Sequence, residues 1–329
     1  MSVKAKSILT EEHMIERVRH YIREIGGTAA HRTPTAAVLE DALSSSGKML
    51  RPRLLLECAA FGPDAYEQRE RLYILAAMVE LTHMASLIHD DIVDEAPFRR
   101  GKSSVQARWG KDAAVYAGDL LIARVYARGI REGLYDAVEC LARTTEEMCA
   151  GEIGQAACRW REDVSIEKYY ANICGKTAAL FRTACGIGAA ETGCPEEICK
   201  RLECFGEALG YLFQLRDDLL DFSGATREAG KETHKDFRDG IYTLPVLMAL
   251  RVEQGRKMLL PLIRANRIRT LTHEEITRME RQVIACGGVE STWNEIKRFH
   301  AVCGEQLDFL EDYAPVQGLR RMWNQLGKR

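Results

Sequence analysis

Two stretches of the chain carry three aspartates at the same spacing. HDDIVDEAPFRR, from His89 to Arg100, sets Asp90, Asp91 and Asp94 in an apolar run and follows them with Arg99 and Arg100. FQLRDDLLDF, from Phe213 to Phe222, repeats the device with Asp217, Asp218 and Asp221, preceded by Gln214. Crowded carboxylates raise one another's pKa and cost stability, so the pattern calls for something positive to relieve it. One copy suits a solvated face or helix-end acids as well as it suits a site. Two copies, each mid-helix among Leu, Ile and Val, do not. Divalent cations relieve the repulsion, and hard oxygen ligands without cysteine select Mg²⁺ or Mn²⁺. Such cations keep several waters and bridge a few carboxylates to phosphate oxygens, so two facing acidic walls imply a diphosphate held through metal. Direct contacts to that anion need cationic side chains. GKMLRP supplies Lys48 and Arg51, FRRGK supplies Arg99 and Arg100, and AGKETHKD supplies Lys231 and Lys235.

The elements that must position these groups read as helices. Only eight prolines interrupt the chain, and apolar residues recur at three and four, as in LYILAAMVELTHMASLIHDDIVDE from Leu72 to Glu95. At about 100° per residue His83, Asp90 and Asp94 fall in one narrow stripe, with Asp91 turned one position away. Helix ends are expected at Phe61-Gly62-Pro63, Ala96-Pro97, Gly110, Gly133, Gly193-Cys194-Pro195, Ser223-Gly224 and Ala314-Pro315. Between Cys194 and Ser223 no strong stop occurs, which predicts one helix of roughly 40 Å at ~1.5 Å per residue. No break resembles an interdomain linker. The expected architecture is all-α, a single domain over residues 1–329 built as a large helical bundle around a central cavity.

Bulk properties remove other classes. With 46 basic and 48 acidic residues the net charge is -2, which speaks against nucleic acid as a partner. Eleven cysteines, an odd number with no CxxC pair, predict free thiols in a reducing compartment. The N-terminal MSVKAKSILTEEHMIE lacks the apolar core of a signal peptide, and no run is expected to reach the apolar length of a membrane span. The expected location is cytoplasmic.

In order along the chain, GKxxRP, HDDxxDxxxxRRG, KT, FQxxDDxxD and GKxxxKD closely resemble the trans-type polyprenyl diphosphate synthases, from about Ser46 to Leu250. The resemblance implies a usually dimeric, all-α prenyltransferase that adds isopentenyl diphosphate to an allylic prenyl diphosphate, head to tail. It implies that Asp90, Asp91, Asp94, Asp217, Asp218 and Asp221 are metal ligands. Lys48, Arg51, His83 and Arg100 resemble the pocket for isopentenyl diphosphate. Arg99, Lys176, Thr177, Gln214, Lys231 and Lys235 resemble the allylic diphosphate contacts, and Asp90, Asp94, Asp217, Asp218, Arg99 and Lys176 carry the catalytic roles. Some members of the family need a second, small subunit. The blander alternatives are a satisfied core histidine at His83 and solvent-facing lysines at Lys176 and Lys235.

The chemistry agrees with the residues taken alone. Cations stabilise negative charge as diphosphate leaves, the homoallylic double bond attacks the allylic carbocation, and a proton is lost. Apolar surroundings exclude water. No side chain near the motifs stands out as a dedicated base, so the released diphosphate takes the proton, as the resemblance also implies. Departures from the family pattern are Met49 for a common arginine, Ser103 for proline, His234 for glycine before KD, and Ile241 for a basic residue. His234 puts the conformation of its loop in question.

Product length is expected to depend on the residues before Asp90. Ser86 lies about 6 Å and Thr82 about 12 Å back along the helix axis. In the family, bulky aromatics four and five positions before the first aspartate stop short products; Ala85 and Ser86 are small, which predicts hexaprenyl or longer, as for a quinone side chain. Met78, Leu81 or the AGDLLIARVYA segment are candidates for a deeper stop. The alternatives are a farnesyl or geranylgeranyl synthase, and a catalytically weak subunit of a heteromeric enzyme. An apolar product predicts transient membrane contact at release. Rival readings are weaker: a di-iron bundle from Glu80 and His83 needs a second ExxH, an HD phosphohydrolase leaves the second DDxxD unexplained, and a terpene cyclase needs neither GKxxRP nor the RRG pair.

Overall fold

Apolar spacing of three and four becomes helix almost throughout. A computed structural model of the chain describes residues 11–27, 33–44, 47–222 and 234–326 and is 78% helical. Among the described residues the strands are two short ones, β1 (Phe98–Arg99) and β2 (Lys102–Ser103). The all-α expectation holds. The residues form two compact units, 1–145 with 183–202, and 146–182 with 203–329.

The first unit contains α1 (Glu11–Gly26), α2 (Pro34–Leu43), α3 (Leu50–Ala59), α4 (Arg69–Val93), α5 (Val105–Trp109) and α6 (Lys111–Arg131). It also takes the start of α7 (Tyr135–Ala157) and most of α9 (Ala179–Glu191). Local chemistry sets the ends: Thr33 caps α2 with Pro34 at its first position, and Ser104 caps α5 through the amide of Ala107. α4 is the core element, buried without interruption from Leu72 to Thr82 and packed against α1, α3 and α6. Glycines let α6 approach: a Cβ on Gly118 would come within 2.3 Å of the His89 ring, and one on Gly129 within 2.8 Å of Met78. The expectation of no membrane-length apolar run is corrected here. α4 is long and apolar enough to cross a membrane by length and composition, but 78% of its most apolar window is buried inside the unit, so the pattern is that of a helix sheathed on all sides.

After α4 the chain turns back through the β1–β2 hairpin, with Arg99 opposite Lys102. Its two-residue loop is Arg100-Gly101, at φ 51° and 78°. Both values are positive, as the primed hairpin turns require, which accounts for the glycine of the RRG string.

The second unit contains the rest of α7, α8 (Ile166–Ile173), and a π-helical turn (Cys174–Ala178) leading into α9. It continues with most of α10 (Glu196–Leu220), then α11 (Lys235–Arg238), α12 (Leu244–Leu250), α13 (Glu253–Ile268), α14 (His273–Ala285), α15 (Gly288–Phe309) and α16 (Val316–Leu326). Ser165 caps α8, and Thr272 with Glu275 forms a capping box on α14. Its core gathers Phe181, Phe205, Leu209, Leu212 and Leu307, and the rings of Tyr211 and Phe299 stack at 4.6 Å. The long helix expected after Cys194 is α10, which starts just past Pro195. The other expected breaks fall between helices, except Ser223-Gly224, which lies outside the described residues.

Candidate active site

The first aspartate trio ends α4. Asp90 is half-buried, Asp94 is the exposed C-cap, and Asp91 is only 4% exposed. Asp91 turns away from the other two, as its helical angle predicts, and Oδ1 accepts from Arg99 Nε at 2.8 Å and Nη2 at 2.6 Å. In the structure Arg99 therefore contacts the middle aspartate. The hairpin that carries Arg99 is pinned to the acidic end of α4: Ser104 Oγ and Gln106 Nε2 both donate to the carbonyl of Ala96, at 2.6 and 2.8 Å. His89 faces α6, its Nε2 3.3 Å from both the carbonyl of Val115 and the Asp119 carboxylate. The hydrolase reading leaves the second aspartate trio unexplained.

Beside this trio the first unit assembles a basic cluster. Arg51 is buried in the first turn of α3, and burial lowers it to about 10, with Arg100 adding and Glu80 opposing. The Arg100 guanidinium lies against Gly47, where a Cβ would sit 2.5 Å from Nη2. Lys48 follows Gly47 and is exposed; Met49 then starts α3 at φ 55°. His83 is held well below the ordinary imidazole value by burial and by Arg51, Arg100 and Arg99, so at neutral pH it is an uncharged hydrogen-bonding group. Arg51, His83 and Arg100, which the resemblance assigns to one pocket, are thus within electrostatic reach of one another.

Glu80, one turn before His83, was missed as part of this cluster. It is 3% exposed; burial raises its carboxyl, and Arg51 and Arg100 oppose the rise. The available signal was a glutamate inside an otherwise apolar run. Surrounding arginines make Glu80 and His83 poor ligands for iron, which disposes of the di-iron rival.

The second trio lies on and just beyond the end of α10. Asp218 is 5% exposed and its oxygens accept from the hydroxyl of Tyr169 at 2.5 Å, the amide of Gln214 at 3.0 Å and the backbone N–H of Leu244 at 3.4 Å. Burial lifts it to about 6 against these donors. Asp217 is raised by lost hydration and by Asp221, opposed by Lys176, and burial raises Asp221 against the opposing charge and N–H of His234. Sequence reasoning also missed Asp236, raised to about 7 by lost hydration and then by Asp218, Asp221 and Asp217. Asp217 and Asp236 are exposed to water, so solvent screening reduces these shifts while their direction stands.

Lys176 stands on the π-helical turn, a distortion frequent at functional sites. Its Nζ lies 3.0 Å from Glu152 and 2.9 Å from Gln155, both on α7. Gly151 and Gly175 permit the close approach of the two backbones: a Cβ on Gly151 would lie 2.5 Å from the backbone nitrogen of Lys176. Thr177 donates to Gln214 Oε1 at 2.8 Å. Lys235 is half-buried at the start of α11, and Lys231 lies outside the described residues. His234 takes the left-handed conformation that glycine usually fills, at φ 58°, and buries its ring 5.0 Å from Phe222 with Nε2 3.7 Å from Glu280.

On α4, Ala85 and Thr82 are buried and Ser86 is half-buried. The Thr82 hydroxyl donates to the carbonyl of Met78 at 3.0 Å, and that of Ser86 to His83 at 2.9 Å. Of the two positions nearest Asp90, only Ser86 is partly exposed.

The second trio with Asp236 fits a hard divalent cation on one observation: all four carboxyls are pushed upward, and the donors are all oxygens. Among the described residues no three acidic, imidazole or thiol groups close into a cage, which suits a cation completed by water and phosphate oxygens. A sign follows for stability. A carboxyl raised in the fold contributes stability below about 4 that is lost as pH rises through its folded value, here about 7 for Asp236. Asp236→Asn is therefore expected to raise the thermal midpoint of the chelator-treated chain, and to do so more at pH 8 than at pH 5. Calorimetry checks it; a smaller gain at pH 8, or a loss there, contradicts the sign.

Residues 33–278 match the profile of the family described as polyprenyl synthetase. The chain is 42% identical over 212 residues to heptaprenyl diphosphate synthase component 2 of Geobacillus stearothermophilus, covering 64% of this chain and 65% of that relative, slightly under two thirds of its length. It is 33% identical over 253 residues to octaprenyl diphosphate synthase of Escherichia coli, covering 76% of each. Among solved structures, the polyprenyl synthase of Caulobacter crescentus, complexed with calcium and isoprenyl diphosphate, matches with a TM-score of 0.85 at 30% identity over 97% of this chain and 95% of that one. The profile covers most of the sequence, including both aspartate trios and the basic motifs: the chain belongs to the polyprenyl synthetase family.

Proposed function

We propose that the chain catalyses Mg²⁺-dependent, head-to-tail condensation of isopentenyl diphosphate with an allylic prenyl diphosphate, giving a long all-trans polyprenyl diphosphate, hexaprenyl or longer. The observation that carries this reading is the basic cluster of Arg51, Arg100 and neutral His83 built next to the first aspartate trio. Cations for an anion and carboxylates for a metal stand together in one unit, as a metal-held diphosphate requires.

Lys48, Arg51, His83 and Arg100 hold the diphosphate of isopentenyl diphosphate. Arg99, Lys176, Thr177, Gln214, Lys231 and Lys235 hold the allylic diphosphate, with Lys176 exchanging part of its contact to Glu152 and Gln155 for phosphate oxygen. The aspartates of each trio would hold Mg²⁺, which would supply charge stabilisation to a departing diphosphate. The released diphosphate accepts the proton lost when the new double bond forms. On the wall before Asp90, Thr82 and Ser86 tie their hydroxyls to their own helix, which leaves mainly carbon facing outward and suits an apolar product. The heptaprenyl and octaprenyl names of the relatives support the long product.

Ser86→Phe is expected to shift the product to geranylgeranyl or shorter at comparable turnover. Ala85→Phe, at a fully buried position, is expected to cost about 1–3 kcal/mol by overpacking. Product sizing by chromatography reads the first; an unchanged distribution from a folded, active Ser86→Phe removes this wall from the length determinant.

Exposed Val115, Tyr116, Ile130 and Tyr135 on α6 and the start of α7 support a homodimer surface. A heteromeric reading, in which the chain needs a small second subunit, is supported by the relative named as component 2. Incubation with labelled isopentenyl diphosphate, Mg²⁺ and each allylic primer decides. Long products from the chain alone support the homomeric enzyme; no product alone but product with a partner subunit supports the heteromer; none under either condition refutes prenyl transfer.

A further inference from the structure

Tyr169, on α8, is nearly fully buried, and its hydroxyl donates to Asp218 Oδ2 at 2.5 Å. The same oxygen receives the N–H of Leu244 at 3.4 Å from the start of α12, while Oδ1 receives Gln214 Nε2 at 3.0 Å. Gln214 in turn accepts from Thr177 at 2.8 Å. A continuous path of Thr177, Gln214, Asp218 and Tyr169 therefore ties the π-helical turn, α10, α8 and α12 together. Helical geometry separates Asp218 from its neighbours. Asp218 shares a face with Gln214, four residues back, whereas Asp217 and Asp221 share another face four residues apart. Asp217, unlike Asp218, is open to solvent.

We propose that Tyr169 is a positioning residue: it fixes Asp218 as a hydrogen-bonded internal anchor, so that Asp217 and Asp221 present the trio's carboxylates to the cation and the allylic diphosphate. This deepens the function proposed above and rests on it. A short O–H···O⁻ bond to a buried carboxylate is among the stronger hydrogen bonds a fold makes. Without it Asp218 keeps one firm donor and one long one. The carboxyl can then rotate, Gln214 loses its fixed acceptor, and Thr177 loses the partner that orients it.

The test uses the whole 329-residue chain in two measurements that do not depend on turnover. One is the thermal midpoint after chelation; the other is calorimetric binding of Mn²⁺ with inorganic pyrophosphate. Steady-state kinetics is added as a third. Tyr169→Phe is expected to weaken cation–pyrophosphate binding and lower kcat by about tenfold each, with KM for isopentenyl diphosphate unchanged. Tyr169→Phe combined with Asp218→Asn should lose no more than the worse single variant, the signature of two groups acting as one. Asp217→Asn should weaken cation–pyrophosphate binding far more than Asp218→Asn, and Asp218→Asn, which breaks the hydrogen-bonded path, should lower the midpoint where Asp217→Asn does not.

Wild-type behaviour of Tyr169→Phe, or multiplying losses in the double variant, overturns the inference. So does Asp218→Asn that matches Asp217→Asn in cation binding with an undisturbed midpoint, and this comparison decides even if Tyr169→Phe does not fold. A wild-type chain that binds no cation–pyrophosphate overturns the functional reading, and the inference with it; normal wild-type binding with an unaffected Tyr169→Phe overturns the inference alone.

Discussion

Asp217→Asn is expected to lower kcat on the order of 10³-fold and to leave the chelator-treated chain at least as heat-stable as the wild type. Removing a functional group from a well-packed site ordinarily costs stability. Here the sign reverses, because partial loss of hydration and Asp221 both raise the Asp217 carboxyl against the opposing charge of Lys176. At neutral pH its ionised form costs the fold free energy, and an isosteric amide removes that cost. The same charge is what the proposed cation needs, so turnover should fall while stability holds or rises. Raising Mg²⁺ should recover part of the lost rate, since the defect is in cation affinity. Labelled isopentenyl diphosphate turnover and scanning calorimetry measure the two quantities on one preparation. Near-normal turnover, or a clear fall in the midpoint, defeats the assignment of Asp217 to the cation.

Local signals in the sequence carry far here, and long-range ones do not. Helix boundaries at Phe61-Gly62-Pro63, Gly110, Gly133 and Gly193-Cys194-Pro195 were legible because glycine and proline act on their own backbone. That Asp91 turns away from Asp90 and Asp94 was legible from helical angle alone; its burial was not. Its partner was not, because pairing with Arg99 depends on a hairpin whose two positive-φ residues bring the chain back onto α4. Glu80 shows the same limit: its role is set by Arg51 and Arg100, which lie 29 and 20 residues away in the sequence. The π-helical turn under Lys176 lies where α7 comes close at Gly151 and Gly175, a long-range contact with no compositional mark. The two compact units also left no trace. Each is assembled from two separate stretches of chain, so no linker composition could announce them. The sequence expectation puts α4 short of a membrane span, yet the helix qualifies by length and composition, because a helix buried inside a unit demands the same residues as one buried in lipid.

Arg51→Ala and Arg100→Ala should separate by burial, although both remove a cation from the same cluster. Arg51 is 9% exposed and Glu80 3%, and each opposes the cost of burying the other. Alanine at position 51 leaves the Glu80 carboxylate buried with Arg100 remaining as a cation beside it among the described residues, at a cost on the order of 3 kcal/mol. The carboxyl then rises further, so this loss grows as pH climbs through its new value. Arg100 is exposed at the hairpin tip, and its removal should leave the midpoint nearly unchanged while raising KM for isopentenyl diphosphate about 10- to 100-fold. The double variant Arg51→Ala with Glu80→Gln distinguishes stability from binding. It should regain most of the lost midpoint, because the orphaned charge is gone, yet keep the raised KM, because the phosphate contact is still missing. Recovery of KM together with stability would mean that Arg51 serves the fold alone, and that the anion is held by Lys48, His83 and Arg100 without it.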